Sequence, residues 1–313
     1  MMKRFADILC VIGSPVRDGL VLARAVSLAE NNQARLTVAA LLPVVPAGSA
    51  GAAPDPAVTG DARRILARLT EPYRQRIEIR HAVLVGTGFL EVIRAVLREG
   101  HDLVIKAAED PSFLDRLFGS DDMHLLRKCP CPVWLTKPGE RPNYARILAA
   151  VDIEPPTPEA ELAPLNRRIL ELAGSLALSD FAELHLAHAW DVPEERFVRT
   201  WSENPHVDGP AYVEGERRYH QDGLDRLGER LRGLIGAEAF AYLVPQLHLC
   251  RGPASLVIPD LARQLQADLV VMGTLSRTGV AGLFIGNTAE AILEQLTCSV
   301  LAIKPPGFVS PVA

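Results

Sequence analysis

The chain states one pattern twice, which limits it to folds built from two similar units with the same order of elements. The first copy reads Asp102-Leu103-Val104-Ile105, passes through Gly119-Ser120, and closes with Cys131-Pro132-Val133-Trp134-Leu135-Thr136-Lys137-Pro138. About 166 residues later it returns as Asp268-Leu269-Val270-Val271, then Gly286-Asn287, then Cys298-Ser299-Val300-Leu301-Ala302-Ile303-Lys304-Pro305. A glycine that ends a strand and opens a helix precedes each copy, Gly86 in the first and Gly252 in the second. The loop after the shared strand is one residue longer in the second copy, and that loop is where chemistry is expected.

Within each copy, continuous apolar runs alternate with helical stripes, which predicts parallel sheets covered on both faces. Ile8 to Ile12 is such a run, and Leu22, Ala25, Val26 and Ala29 then lie on one helical face. Phe89, Val92, Ile93, Val96 and Leu97 form the clearest stripe, stopped by Gly100. Leu224, Leu227, Leu231 and Leu234 make another in the second half. Pro43 to Gly60 and Asp191 to Tyr212 read as irregular loops, and Pro138 to Asn143 as a polar linker. The expected fold is therefore α/β, with five strands in each of two domains, 1–139 and 140–313.

With 48% hydrophobic and 23% charged residues, the chain has the composition of a soluble globular protein. No apolar run approaches the roughly 18 residues of a membrane span. The N-terminus leads into a short strand-like run instead of a signal sequence, so the expected location is the cytoplasm. A net charge of −5 argues against general nucleic-acid binding, which requires clustered Lys and Arg. The five cysteines form no disulfide framework, and Cys129-Pro130-Cys131 is one residue short of a zinc or redox C-x-x-C. Cys131 reads as a small buried hydrophobe at a strand start, and Cys298 as its repeat equivalent. His185 and His188, three apart on a strand, point to opposite faces and do not make a metal site. No nucleophile stands in G-x-S-x-G, so no catalytic residue is assigned.

Open parallel sheets take ligands beyond the carboxyl ends of their strands. There the second half places Asp152 after its first strand and Gly273-Thr274-Leu275-Ser276 after its fourth. Gly286-Asn287-Thr288 then opens a helix whose N-terminus favours a phosphate. Asp152, Gly273, Thr274, Ser276, Gly286, Asn287 and Thr288 are the candidate nucleotide-binding set. The competing readings are a solvated carboxylate for Asp152 and a plain helix N-cap for Asn287.

At these residues the chain resembles the universal stress protein family, in particular its tandem-domain E-type members. The family's motif is G-x-x-G, nine residues, then G-[ST], and here Gly273-x-x-Ser276 is followed after nine residues by Gly286-Asn287. The spacing is kept while Ser276 and Asn287 replace a glycine and a hydroxyl residue. Arg277-Thr278-Gly279 and the run His124 to Pro132 also look like the E-type proteins. The first half has lost the motif, with Lys106-Ala107-Ala108-Glu109-Asp110 in place of the glycines and Asp121-Asp122 after Gly119-Ser120. Those carboxylates oppose a phosphate, so any nucleotide is expected in the second half alone.

The resemblance implies two Rossmann-like domains of the adenine nucleotide alpha hydrolase type, strand order 3-2-1-4-5, packed as an intramolecular pseudo-dimer. It further implies a cytoplasmic stress-response protein, ligand-sensing or regulatory and non-catalytic, that supports survival under stress or DNA damage. ATP or another adenine nucleotide in the second domain is the candidate cofactor. Two alternatives stand beside this: slow ATP hydrolysis in the second domain, and a carrier or scaffold holding an apolar or lipid-like molecule. A small-molecule ligand and a homodimer are the candidate partners.

Overall fold

A computed structural model describes residues 4–43, 56–109, 120–140, 143–153, 163–192, 200, 205–274 and 285–312. Two compact units emerge, one of residues 1–144 with 274–313 and one of residues 145–273. In the first unit the strands are β1 (Asp7–Ile12), β2 (Arg35–Leu42), β3 (Ile79–Val85), β4 (Leu103–Ala107) and β5 (Val133–Thr136). They run parallel in the order β3-β2-β1-β4-β5. Helices α1 (Gly19–Asn32), α2 (Pro56–Thr70), α3 (Gly88–Glu99) and α4 (Ser120–Lys128) connect them. Every residue of β1 is buried, as a central strand covered on both faces requires.

The second unit holds β6 (Arg146–Ala150), β7 (Glu183–Trp190), β8 (Gln246–Arg251) and β9 (Leu269–Gly273). They are parallel in the order β8-β7-β6-β9. Its helices are α5 (Pro164–Asp180), α6 (Pro205–Ile235), α7 (Ala237–Leu243) and α8 (Ala254–Gln264). The remaining two elements, α9 (Asn287–Leu293) and β10 (Ser299–Ile303), belong by compactness to the first unit. There β10 pairs antiparallel with β5, Leu301 opposite Trp134. Compactness thus divides the chain differently from the sequence repeat.

The repeated residues perform matching structural work. Asp102 accepts hydrogen bonds from the backbone N–H groups of Ala6 and Asp7 (2.6 and 3.1 Å), which pins the start of β1. Asp268 does the same at the start of β6, accepting from Ala145 and Arg146 (2.7 and 3.0 Å). Each satisfies donors that the sheet ladder leaves open. Gly86 and Gly252 follow β3 and β8 at φ 151° and 130°. A Cβ at Gly86 would collide with Glu91, so the side chain is excluded on two grounds.

Three sequence expectations change. The loop expected to run to Gly60 ends at Pro56, where α2 begins, since proline suits the first turn of a helix. The loop expected to run to Tyr212 ends earlier as well, because α6 starts at Pro205 and carries Pro210 within it. Thirdly, the polar linker is tied down at Glu140. That carboxylate is ion-paired to Arg24 (3.2 Å), accepts from the Tyr144 hydroxyl (3.0 Å), and accepts from the Ser299 hydroxyl of β10. The Arg24 guanidinium lies 3.7 Å from the Tyr144 ring centre, a cation–π contact in a buried setting. Burial raises the Glu140 carboxyl above its usual range, while these partners draw it back.

Candidate functional site

At the carboxyl ends of the first unit's strands lies a cavity of about 350 Å³, bordered by Gly13, Asp18, Gly88, Lys106, Glu109 and Asp121 among others. The loop after β1 is clipped by Asp18, whose carboxylate accepts from the N–H groups of Gly13 and Ser14, both at 2.8 Å. Lys106, from β4, points its ammonium at Asp122 in the first turn of α4, 2.6 Å away. Asp122 is fully buried, and its other oxygen accepts from the Glu109 N–H at 2.7 Å. A carboxylate of the protein itself thus occupies Lys106 and the Glu109 N–H, donors that an anion entering beside this helix start would meet. The repeat equivalents of Lys106 and Asp122 are Met272 and Ala289, both buried, so the first half has charged residues at positions that are apolar in the second. Burial, with Asp122 and Asp121 close by, also raises the Glu109 carboxyl, against the pull of Lys106.

The residues singled out in the second half fall into two groups. Asp152 and Gly273 are in the second unit. The Asp152 side chain is exposed, and its backbone is held by Asn166 of α5, which accepts from the Asp152 N–H at 3.1 Å and donates to its carbonyl at 2.5 Å. Gly273 ends β9, and a Cβ there would stand 2.7 Å from the Leu165 side chain, so its first task is to let α5 pack. Thr274, Gly286, Asn287 and Thr288 are in the first unit. Thr274 is fully buried with its N–H on the Ile303 carbonyl (3.1 Å), and its own carbonyl accepts from the Gly286 N–H (2.9 Å). Gly286 is the N-cap of α9. Asn287 is therefore the first helical residue and not the cap that one sequence reading made it, and it and Thr288 are exposed. Ser276 and the run Arg277-Thr278-Gly279 lie outside the described residues.

The model of the universal stress protein family matches residues 4–137 and again 143–304. The chain belongs to the universal stress protein family. It is similar to universal stress protein E of Escherichia coli, 35% identical over 227 residues that cover 72% of this chain and 67% of that one. Over nearly the full length it is 28% identical to the universal stress protein E homolog of Haemophilus influenzae, with 96% and 98% of the two chains covered. A crystal structure assigned to the same family, from Pseudomonas aeruginosa, superposes with a TM-score of 0.69 at 27% identity, covering 97% of this chain and 94% of that one. The fold extends to a universal stress protein of Archaeoglobus fulgidus, TM-score 0.54 at 17% identity.

This universal stress protein carries polar groups in its core that sequence reasoning missed. Lys106 and Asp122 were visible as losses of the glycine motif, but their pairing needs the strand and helix brought together. The same holds for two histidine pairs of the second unit. His185 Nδ1 is 3.0 Å from His248 Nε2, and His188 Nε2 is 2.9 Å from His220 Nδ1. His185 and His188 do face opposite ways from β7, one meeting β8 and the other α6. His188 Nδ1 donates to the Val151 carbonyl at 3.2 Å, which makes its Nε2 an acceptor for His220 while the ring is neutral. Burial lowers the pKa of both His185 and His248. Among the described residues no three His, Cys, Asp or Glu side chains gather as metal ligands, and no helix is long and apolar enough to cross a membrane.

Proposed function

We propose that this universal stress protein is a non-catalytic, cytoplasmic regulator whose first half has become a closed counterpart to a second half that takes an adenine nucleotide. The observation that carries this reading is the buried Asp122 carboxylate, held by Lys106 and the Glu109 N–H. A phosphate entering there meets a fixed negative charge and finds its donors occupied. At α9 the first residues, Asn287 and Thr288, are exposed. Supporting the second half is the kept spacing from Gly273 to Gly286, with Ser276 and Asn287 as the departures that weaken phosphate capture. Nucleotide binding then acts by shifting the population of conformers that partners recognise.

The test is a titration of the full chain with ATP, because cutting at the sequence repeat would separate β10 from β5. Ser276→Gly with Asn287→Ser should tighten binding about tenfold, the worth of one added charge-assisted hydrogen bond. Asp121→Asn, in the first half, should leave it unchanged. Binding that follows Asp121 and ignores positions 276 and 287 overturns the assignment, and steady turnover of ATP by the wild type overturns the non-catalytic reading.

A further inference from the structure

Cys129 and Cys131 face each other with their sulfurs 3.6 Å apart, in an elbow between α4 and β5. Both are buried. The elbow is fixed at both sides: the Cys129 N–H bonds the Leu125 carbonyl at 2.9 Å, and the Pro132 carbonyl accepts from the Val104 N–H of β4 at 3.0 Å. Pro130 between them restricts the backbone further. Two thiols held in this way need to approach by only about 1.6 Å to reach the roughly 2.04 Å of a disulfide bond. Lys304 completes the cluster. Its ammonium donates to the Arg127 carbonyl at 3.2 Å, and it interacts electrostatically with Cys129.

We propose that Cys129 and Cys131 form an intramolecular, reversible disulfide when the protein meets a peroxide. In the first step the Cys131 sulfur attacks one peroxide oxygen, the O–O bond breaks, and Cys131 becomes a sulfenic acid with release of water. In the second, the Cys129 sulfur displaces the hydroxyl from Cys131, the S–S bond forms, and a second water leaves. The two sulfurs lose two electrons together and the peroxide gains them. Cys131 is the attacking sulfur because it is the more exposed of the two, at 8% against 0%. The Lys304 ammonium, which interacts electrostatically with Cys129, favours the Cys129 thiolate, and the proton that Cys129 sheds leaves with the displaced hydroxyl as water. The hydrogen bond shared with Cys129, and then burial, raise the Cys131 thiol well above its usual value, so Cys131 rests as a thiol and reacts faster as pH rises.

The experiment treats the full-length reduced protein with a modest excess of hydrogen peroxide, followed by blocking of free thiols and peptide mapping. The expected result is loss of two of the five thiols, and a peptide carrying Cys129 and Cys131 lighter by about 2 Da, the mass of the two hydrogens lost when the S–S bond forms. A dithiol reductant should restore both. In Cys129→Ser the oxidation should stop at a Cys131 sulfenic acid that a carbon nucleophile traps. Should that variant fail to fold, the wild-type map decides alone. Both thiols remaining free while another cysteine oxidises overturns the proposal, as does Cys131 sulfinic acid beside a free Cys129, or a linkage between chains.

Discussion

Removing one charge of the Lys106–Asp122 pair strands the other in a dry interior. Breaking a buried ion pair on one side costs about 3–5 kcal/mol, so Asp122→Asn should lower the urea midpoint sharply. The double change Lys106→Met with Asp122→Ala, which copies the residues at the repeat positions 272 and 289, should recover most of that loss, since removing both charges leaves neither one unpaired in the interior. Lys304 gives the pH dependence. Its amine titrates near 8 in the fold instead of 10.5, so above pH 8 the folded chain binds fewer protons there than the unfolded chain. Stability contributed through Lys304 therefore rises as pH goes from about 8 toward 10.5, and below pH 8 its burial costs on the order of 3 kcal/mol. Lys304→Met should unfold at higher denaturant than wild type at pH 7, with the gap closing by pH 10. A gap independent of pH would show that packing alone is responsible. None of these pairings is legible in the sequence, where Lys106 and Asp122 are sixteen positions apart and meet only when β4 and α4 come together.

At the scale of elements, most of the fold was readable. The apolar run of β1 and the stripes of α1 and α6 appear where period and burial agree; in α3 Val92, Ile93 and Val96 are buried while Leu97, counted in the same stripe, is exposed, and Gly100 closes the helix in the left-handed conformation at φ 75°. Helix α2 was missed because its buried face is sparse, Ala62, Leu66 and Thr70 alone being buried. The start of α6 is not read as helix because Pro205, Gly209 and Pro210 in its first turns are residues typical of loops. Helix α7 ends at an unusual residue. Val244 takes φ 42° and ψ 63° with its side chain 70% exposed, and a β-branched residue is strained there. Val244→Asn should relieve that strain and raise stability by about 1 kcal/mol, read from thermal or urea unfolding. An unchanged or lower midpoint would show that the valine makes compensating contacts.

For the whole molecule, the sequence repeat and the compact units are two different divisions. The family match restarts at residue 143, yet residues 274–313 group with residues 1–144. That was not legible, because the final strand of each copy has the same apolar pattern whichever strand it pairs with. Val133, Trp134 and Leu135 are wholly buried and bond to Val300, Leu301 and Ala302. A fragment of residues 1–139 should therefore expose the β5 edge and sediment as dimers or larger species, and a clean monomer would contradict this. The antiparallel β5–β10 ladder also sets an order of events during synthesis. The first unit lacks its closing strand until residue 303 has left the ribosome, so β5 waits through the translation of the entire second unit. At about 5–20 residues per second that wait lasts on the order of ten seconds or more, long enough for an unpaired edge to need a chaperone's cover.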